Sequence, residues 1–227
     1  MYATTTASKS ACPSPDDYMK SFEGADNIVV VTITGTLSGS YNSAEIAKKI
    51  YLEEHPDAKI HVIDSLSAGG EVDLIVRKLN HLVAEGLDFD QVVDAITAYR
   101  AKTKLLFVLA KVDNLVKNGR LSKLVGTVVG LLNIRMVGEA SKTGTLELLQ
   151  KARGQKKAIK AAFDELIKAG YTGGHITIAH RNNDKFIEQF SALIREKFTH
   201  ASIEVLPTSG LCSFYAEEGG LLMGYEI

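Results

Sequence analysis

Strand-like and helix-like patterns alternate along the first hundred residues of this 227-residue chain. Residues 28–33 form an apolar, β-branched run, which is typical of a strand covered on both faces in a parallel sheet. A second such run covers residues 59–65. Stripes of apolar residues three and four apart, over residues 72–83 and 89–99, predict amphipathic helices. This alternation predicts parallel β-α units, which bind ligands at the carboxyl ends of their strands.

The pattern changes after about residue 104. An apolar run is followed by a predicted hairpin over residues 133–149, then by helices and strands that end with a strand at residues 221–225. Residues 208–220, just before that last strand, read as a loop. We therefore predict an α/β protein of two domains: residues 1–103 with a parallel sheet flanked by helices, and residues 104–227 with a mixed sheet covered by helices.

Composition and charge exclude several classes of protein. The formal net charge is −1, and the chain has no dense Lys/Arg tract interleaved with aromatic residues, so nucleic acid is not the expected partner. The histidines and the two cysteines lack metal-ligand spacing, so neither a metal nor a cofactor is expected. No stretch resembles a signal peptide or reaches the length of a membrane span, which predicts a cytoplasmic protein.

The segment between the first strand and the first long helical stripe, residues 34–44, has the features of an anion site. Gly35 and Gly39 permit a tight turn, and Ser38 or Ser40 can cap the following helix. A helix N-terminus with small residues and hydroxyls favours an anion, although an ordinary capped helix explains the local pattern equally well. The segment lacks the Gly-Lys-Ser/Thr of a Walker loop and the first glycine of a nucleophile elbow.

Two further polar residues stand out. His180 follows a predicted strand, but a triad of Ser38, His180 and Asp64 has no support in the spacing beyond chance. Arg120 lies in a turn before an apolar stretch, where it is either a surface arginine or part of a positive patch for an acidic partner. The other residues of that patch are Lys117, Lys123 and Arg135.

Three motifs, taken in order, resemble the DegV family of bacterial fatty-acid-binding proteins. They are Thr32-Ile-Thr-Gly-Thr-Leu-Ser-Gly-Ser-Tyr-Asn-Ser-Ala44, Val62-Ile-Asp-Ser65 and Lys117-Asn-Gly-Arg-Leu-Ser122. The resemblance implies two α/β domains with a long-chain fatty acid between them. Some members are the acyl-carrying subunit of fatty acid kinase and present the carboxylate to a separate ATP-binding subunit. Family members usually open with a strand and a T-D-S motif, so the first domain is expected to be N-terminally short here.

The resemblance also assigns roles to particular residues. It implies that Ser38, with Gly39 beside it, and Ser10 hold the carboxylate, and that Arg120 lies at the rim or on the partner side. Tyr215 stands where the family has a histidine, so the resemblance implies that Tyr215 is the ligand-binding residue at that position. The missing imidazole bears on coupling to a kinase more than on lipid binding. Phe107, Leu109 and residues 124–132 are candidates for the lining of an acyl tunnel, with a plain core role as the alternative.

We therefore expect a carrier of a long-chain fatty acid, with no catalytic residues of its own. A fatty acid kinase ATP-binding subunit is a second partner that the resemblance suggests. Two alternatives stay open: an acyl hydrolase or transferase that uses Ser38 or Cys212 as nucleophile, and a degenerate member that only binds other proteins.

Overall fold

A computed structural model describes residues 8–121 and 133–227. Strands and helices alternate, as predicted. The helices are α1 (Pro15–Phe22), α2 (Ser40–Glu54), α3 (Gly70–Ala84), α4 (Phe89–Arg100), α5 (Asp113–Lys117), α6 (Gln155–Lys168), α7 (Asp184–Lys197) and α8 (Gly210–Ala216). The strands are β1 (Asn27–Thr32), β2 (Lys59–Asp64), β3 (Thr103–Leu109), β4 (Ile134–Ala140), β5 (Leu146–Arg153), β6 (His175–His180), β7 (Ser202–Pro207) and β8 (Leu221–Glu226).

The first sheet is a parallel pair, β1 and β2, in register from Asn27 opposite Lys59 to Thr32 opposite Asp64. Among the described residues β1 pairs with β2 alone, so the apolar residues 28–31 are half-buried. The expectation of a strand covered on both faces is wrong for β1, because a two-stranded sheet is too narrow to bury it.

The second sheet is mixed, as predicted. Its strand order is β5-β4-β3-β8-β6-β7, and every neighbouring pair is antiparallel except β6 and β7. Helices α6 and α7 cover one face and bury Phe186, Phe190 and Leu166 against Ile178 and Tyr225. The other face carries a second apolar cluster that includes Leu105, Phe107 and Leu109.

Helix α3 packs against both sheets. A Cβ atom added to Gly70 would lie 2.2 Å from the carbonyl oxygen of Thr177 and 2.9 Å from the nitrogen of Gly224, so only glycine lets the helix start this close to β6 and β8. Further along the helix, Ile75 packs with Ile63 of β2. Strand β3, the first of the second sheet, begins at Thr103, and a domain boundary at residues 103 and 104 stays a prediction.

Two predicted details differ from the structure. The sequence pattern after residue 40 predicts that Ile46, Ala47, Ile50 and Tyr51 share one apolar helical face. In the structure Ile46 and Ile50 are 42% and 41% exposed, whereas Ala44, Ala47 and Tyr51 form the buried face of α2. The periodicity fits either face, and the smaller alanines let the helix approach the sheet more closely. The predicted loop at residues 208–220 contains α8. In the described part of the chain, no helix combines the length and apolarity needed to cross a membrane.

Candidate functional site

An apolar cavity of about 360 Å³ is lined by segments that adjoin both sheets. Phe107 and Leu109 line it, as predicted, and they also belong to the core cluster beneath. The other predicted lining segment, residues 124–132, lies outside the described residues. Further apolar side chains in the wall come from Ile33, Leu37, Ala68, Leu115, Leu146, Leu211 and Leu222. The polar side chains come from Ser10, Cys12, Ser38, Ser40, Arg120, Cys212 and Tyr215.

The Ser38 loop, residues 34–40, is held at the carboxyl ends of β1 and β2. The Gly35 N–H donates to both carboxylate oxygens of Asp64, at 3.2 and 3.1 Å, and the Leu66 N–H donates to the same carboxylate at 2.9 Å. The Thr34 N–H donates to the carbonyl of Ser67 at 2.8 Å. This anchoring fixes the loop at the edge of the sheet where parallel strands present ligands.

Helix α2 starts beside the cavity, but its cap differs from the prediction. Gly39 is the N-cap residue and gives no side-chain hydrogen bond, whereas Ser38 Oγ accepts the Ser40 N–H at 3.2 Å and lies 2.9 Å from Ser40 Oγ. Ser40 is the first residue of α2, and its N–H is therefore already bonded to Ser38. No other first-turn N–H of α2 is bonded to a side chain among the described residues, so the following N–H groups and the positive end of the helix dipole are open to an anion.

Ser10 and Tyr215 meet across the same end of the cavity. Their hydroxyl oxygens are 2.9 Å apart, although the residues are separated by almost the whole chain. Cys12 follows in the same N-terminal segment, with its sulfur 3.7 Å from Ser43 Oγ. A Cβ atom at Gly39 would lie 2.9 Å from that sulfur, so glycine allows the segment to close over the start of α2. The sequence analysis does not name Cys12 as a site residue. Its position two residues after Ser10 is a signal that could have indicated this role.

Arg120 lies in the cavity wall. Its Nε donates to the carbonyl of Leu37 at 2.7 Å, and its guanidinium carbon is 5.0 Å from the centre of the Tyr215 ring, within range of a cation–π contact. Arg120 therefore braces the Ser38 loop on one side and α8 on the other. Its contact with a partner protein stays a prediction.

The residues considered for catalysis are engaged elsewhere. His180 Nδ1 accepts the Asn183 N–H at 3.2 Å, and Asp64 accepts backbone N–H groups, so neither orients Ser38 for attack. Burial raises the pKa of the Cys212 thiol, which disfavours the reactive thiolate. Within the described ranges, no group of three or more His, Cys, Asp or Glu side chains is arranged to hold a metal ion.

Comparisons with known proteins agree on one family. The family model described as "Uncharacterised protein, DegV family" matches residues 1–225. A DegV domain-containing protein of Streptococcus gordonii is 76% identical over 227 residues, which are 100% of this chain and 81% of that protein.

Two solved structures show the same fold. The Streptococcus pneumoniae Fatty Acid Kinase (Fak) B3 protein loaded with linoleic acid is 77% identical, with a TM-score of 0.98 over 100% of this chain and 81% of that one. A DegV family protein from Eubacterium eligens loaded with heptadecanoic acid is 40% identical, with a TM-score of 0.95 over 99% of this chain and 82% of that one. The chain belongs to the DegV family.

Proposed function

We propose that this chain binds one long-chain fatty acid, with the acyl chain in the apolar cavity and the carboxylate at Ser10, Ser38 and Tyr215. The observation that carries the proposal is the mixed lining of the cavity, whose largely apolar wall, including Phe107 and Leu109, also contains the hydroxyls of Ser10, Ser38 and Tyr215 and the start of α2. The two relatives solved with linoleic and heptadecanoic acid support the same ligand class.

The energetics of such a ligand are favourable. Each buried methylene contributes roughly 0.8 kcal/mol, so about a dozen contribute around 10 kcal/mol before the cost of association. A buried carboxylate without partners would lose several kcal/mol of this. The hydroxyls of Ser10, Ser38 and Tyr215 and the first N–H groups of α2 offset that loss, so the site needs no salt bridge to the carboxylate.

We also propose that the chain is a carrier rather than an enzyme, and that a separate ATP-binding kinase subunit in the cytoplasm phosphorylates the carboxylate. The hydroxyl end of the cavity supports this, because Cys12 and Gly39 beside it are exposed and a phosphoryl donor could approach there. The name of the S. pneumoniae relative supports it as well. Incubation of the loaded protein with such a subunit and ATP should yield acyl phosphate, trapped as a hydroxamate. If no acyl phosphate forms, this part of the proposal is refuted.

The binding itself is tested by mass spectrometry of protein purified gently from bacteria. We expect organic extraction to release stoichiometric long-chain fatty acid. Ser38→Ala should then weaken affinity by about 1.5 to 3 kcal/mol, or roughly 10- to 150-fold, because it removes a hydrogen bond to a charged group. Ser21→Ala, on the exposed surface of α1, is the matched control and should bind as the wild type does. Purified protein that is empty and does not take up added fatty acid would refute the function, and full affinity in Ser38→Ala would remove Ser38 from the head-group site.

A further inference from the structure

The turn of the β4–β5 hairpin, residues 141–144, reaches across to the Ser38 loop. Thr36 Oγ1 donates to the carbonyl of Gly144 at 2.7 Å and lies 3.0 Å from Thr34 Oγ1. The Thr36 N–H also donates to Thr34 Oγ1, at 3.3 Å. A contact between residues 108 positions apart therefore joins the second sheet to the loop that carries Ser38.

Gly144 is the residue that makes this approach sterically possible. Its φ is +80°, and a Cβ atom there would lie 2.1 Å from Thr34 Oγ1 and 3.0 Å from Leu66 Cα. Hydrogen bonds within the turn also stabilise it. The Gly144 N–H donates to the Ser141 carbonyl at 2.9 Å, and the Thr143 N–H donates to the Ser141 hydroxyl at 3.2 Å. The Gly144 carbonyl is thus presented to Thr36 by a turn of fixed shape.

We infer that the hairpin turn positions the head-group hydroxyl, with Thr36 and Gly144 as positioning residues for Ser38. Thr36 is two residues before Ser38, and the carbonyl of the intervening Leu37 is held by Arg120. The loop is thus clamped on one side by the turn and on the other by Arg120, and it presents Ser38 Oγ in one orientation. This inference rests on the proposed fatty-acid function, because it states how the same site is kept in shape.

The test compares fatty-acid affinity with the melting temperature of delipidated protein in matched variants. Thr36→Val keeps the shape of the side chain and removes the donor, and it should weaken affinity about 2- to 10-fold with little change in melting temperature. Thr36→Ser keeps the hydroxyl and should restore affinity to near the wild-type value.

Gly144→Ala should weaken affinity more strongly than Thr36→Val, since the added methyl group displaces the loop. Gly24→Ala is the control, because Gly24 has a similar φ of +79° and nothing lies within 4 Å of an added Cβ atom. The substitution therefore introduces similar backbone strain without a contact to the site. Gly24→Ala should lower the melting temperature and leave affinity unchanged.

Each outcome decides the inference. Wild-type protein that binds no fatty acid would refute the proposed function itself. If the wild type binds, then equal affinities for the wild type and Thr36→Val, or equal losses in Thr36→Val and Thr36→Ser, overturn the positioning role. Should Gly144→Ala fail to fold, the two Thr36 variants settle the question alone.

Discussion

The hydroxyl pair formed by Ser10 and Tyr215 offers a quantitative test of the head-group site. When two hydroxyls lie 2.9 Å apart, one donates its hydrogen to the other, and the O–H of the accepting hydroxyl is free to donate to a carboxylate. Tyr215→Phe removes one hydroxyl but keeps the ring that lies 5.0 Å from the Arg120 guanidinium. Ser10 can then still donate to the carboxylate, but it loses the partner that orients it.

The expected loss is therefore that of one neutral hydrogen bond, roughly 0.5 to 1.5 kcal/mol, or about 2- to 10-fold in the dissociation constant. The assay is titration of delipidated protein with a long-chain fatty acid. Tyr171→Phe is the matched control, since the Tyr171 hydroxyl donates to the carbonyl of Gly174 at 2.8 Å and Tyr171 does not line the cavity. It should leave affinity unchanged.

A double-mutant cycle with Ser10→Ala separates a shared role from two independent ones. Coupled hydroxyls should give a double variant that loses less than the sum of the single losses, by about 0.5 kcal/mol or more. Wild-type affinity in Tyr215→Phe, or strictly additive losses, would refute the shared head-group role of Ser10 and Tyr215.

Two further predictions concern thiols and a buried carboxyl group. Cys12 is exposed, whereas burial raises the pKa of the Cys212 thiol, so Cys12 should react with iodoacetamide faster than Cys212. Both thiols line the cavity, so bound fatty acid should slow both reactions. Peptide mass spectrometry measures the rates, and rates that do not change when fatty acid is added would place the acyl chain elsewhere. Burial also raises the pKa of Glu71 above its ordinary value of 4.5, and Thr103 donates to it at 2.7 Å. The folded protein holds this proton more tightly than the unfolded chain does, so stability falls as the pH rises from 4.5 through the raised pKa. Glu71→Gln should therefore melt at a higher temperature than the wild type at about pH 8, with the difference shrinking towards about pH 4; a difference that does not vary with pH would contradict this.

Much of the fold could be predicted because its strands and helices have strong local signatures. The β-branched runs, the stripe that includes Ile75 and the Gly turn before Ser38 each lie within a dozen residues of sequence. Local sequence does not predict helix α8, because the helix has only seven residues, begins at Gly210 and is followed by Gly219 and Gly220, a composition that favours a loop. The surface position of Ile50 was missed because hydrophobic periodicity does not choose between adjacent faces of one helix.

The head-group site could be predicted only in part, for a different reason. The local strand–turn–helix pattern predicts an anion site with Ser38 or Ser40 as its hydroxyl, and the family resemblance selects Ser38. Ser10 and Tyr215 were assigned through a family resemblance alone, since nothing local indicates that residues 205 positions apart share a hydrogen bond. The contact of Thr36 with Gly144 has no local signature either, and only the folded chain shows it.

The central place of β8 in the second sheet has a consequence for how the protein is made. Strand β8 lies between β3 and β6, yet it follows every other described strand in the sequence. Because synthesis proceeds from the N-terminus, β3 and β6 leave the ribosome before β8, and the edge of each strand that pairs with β8 stays unpaired until β8 emerges. Leu222 of β8 and Leu211 and Tyr215 of α8, which immediately precedes it, all line the cavity. The wall of the cavity is therefore complete only after this last section of the chain has been translated.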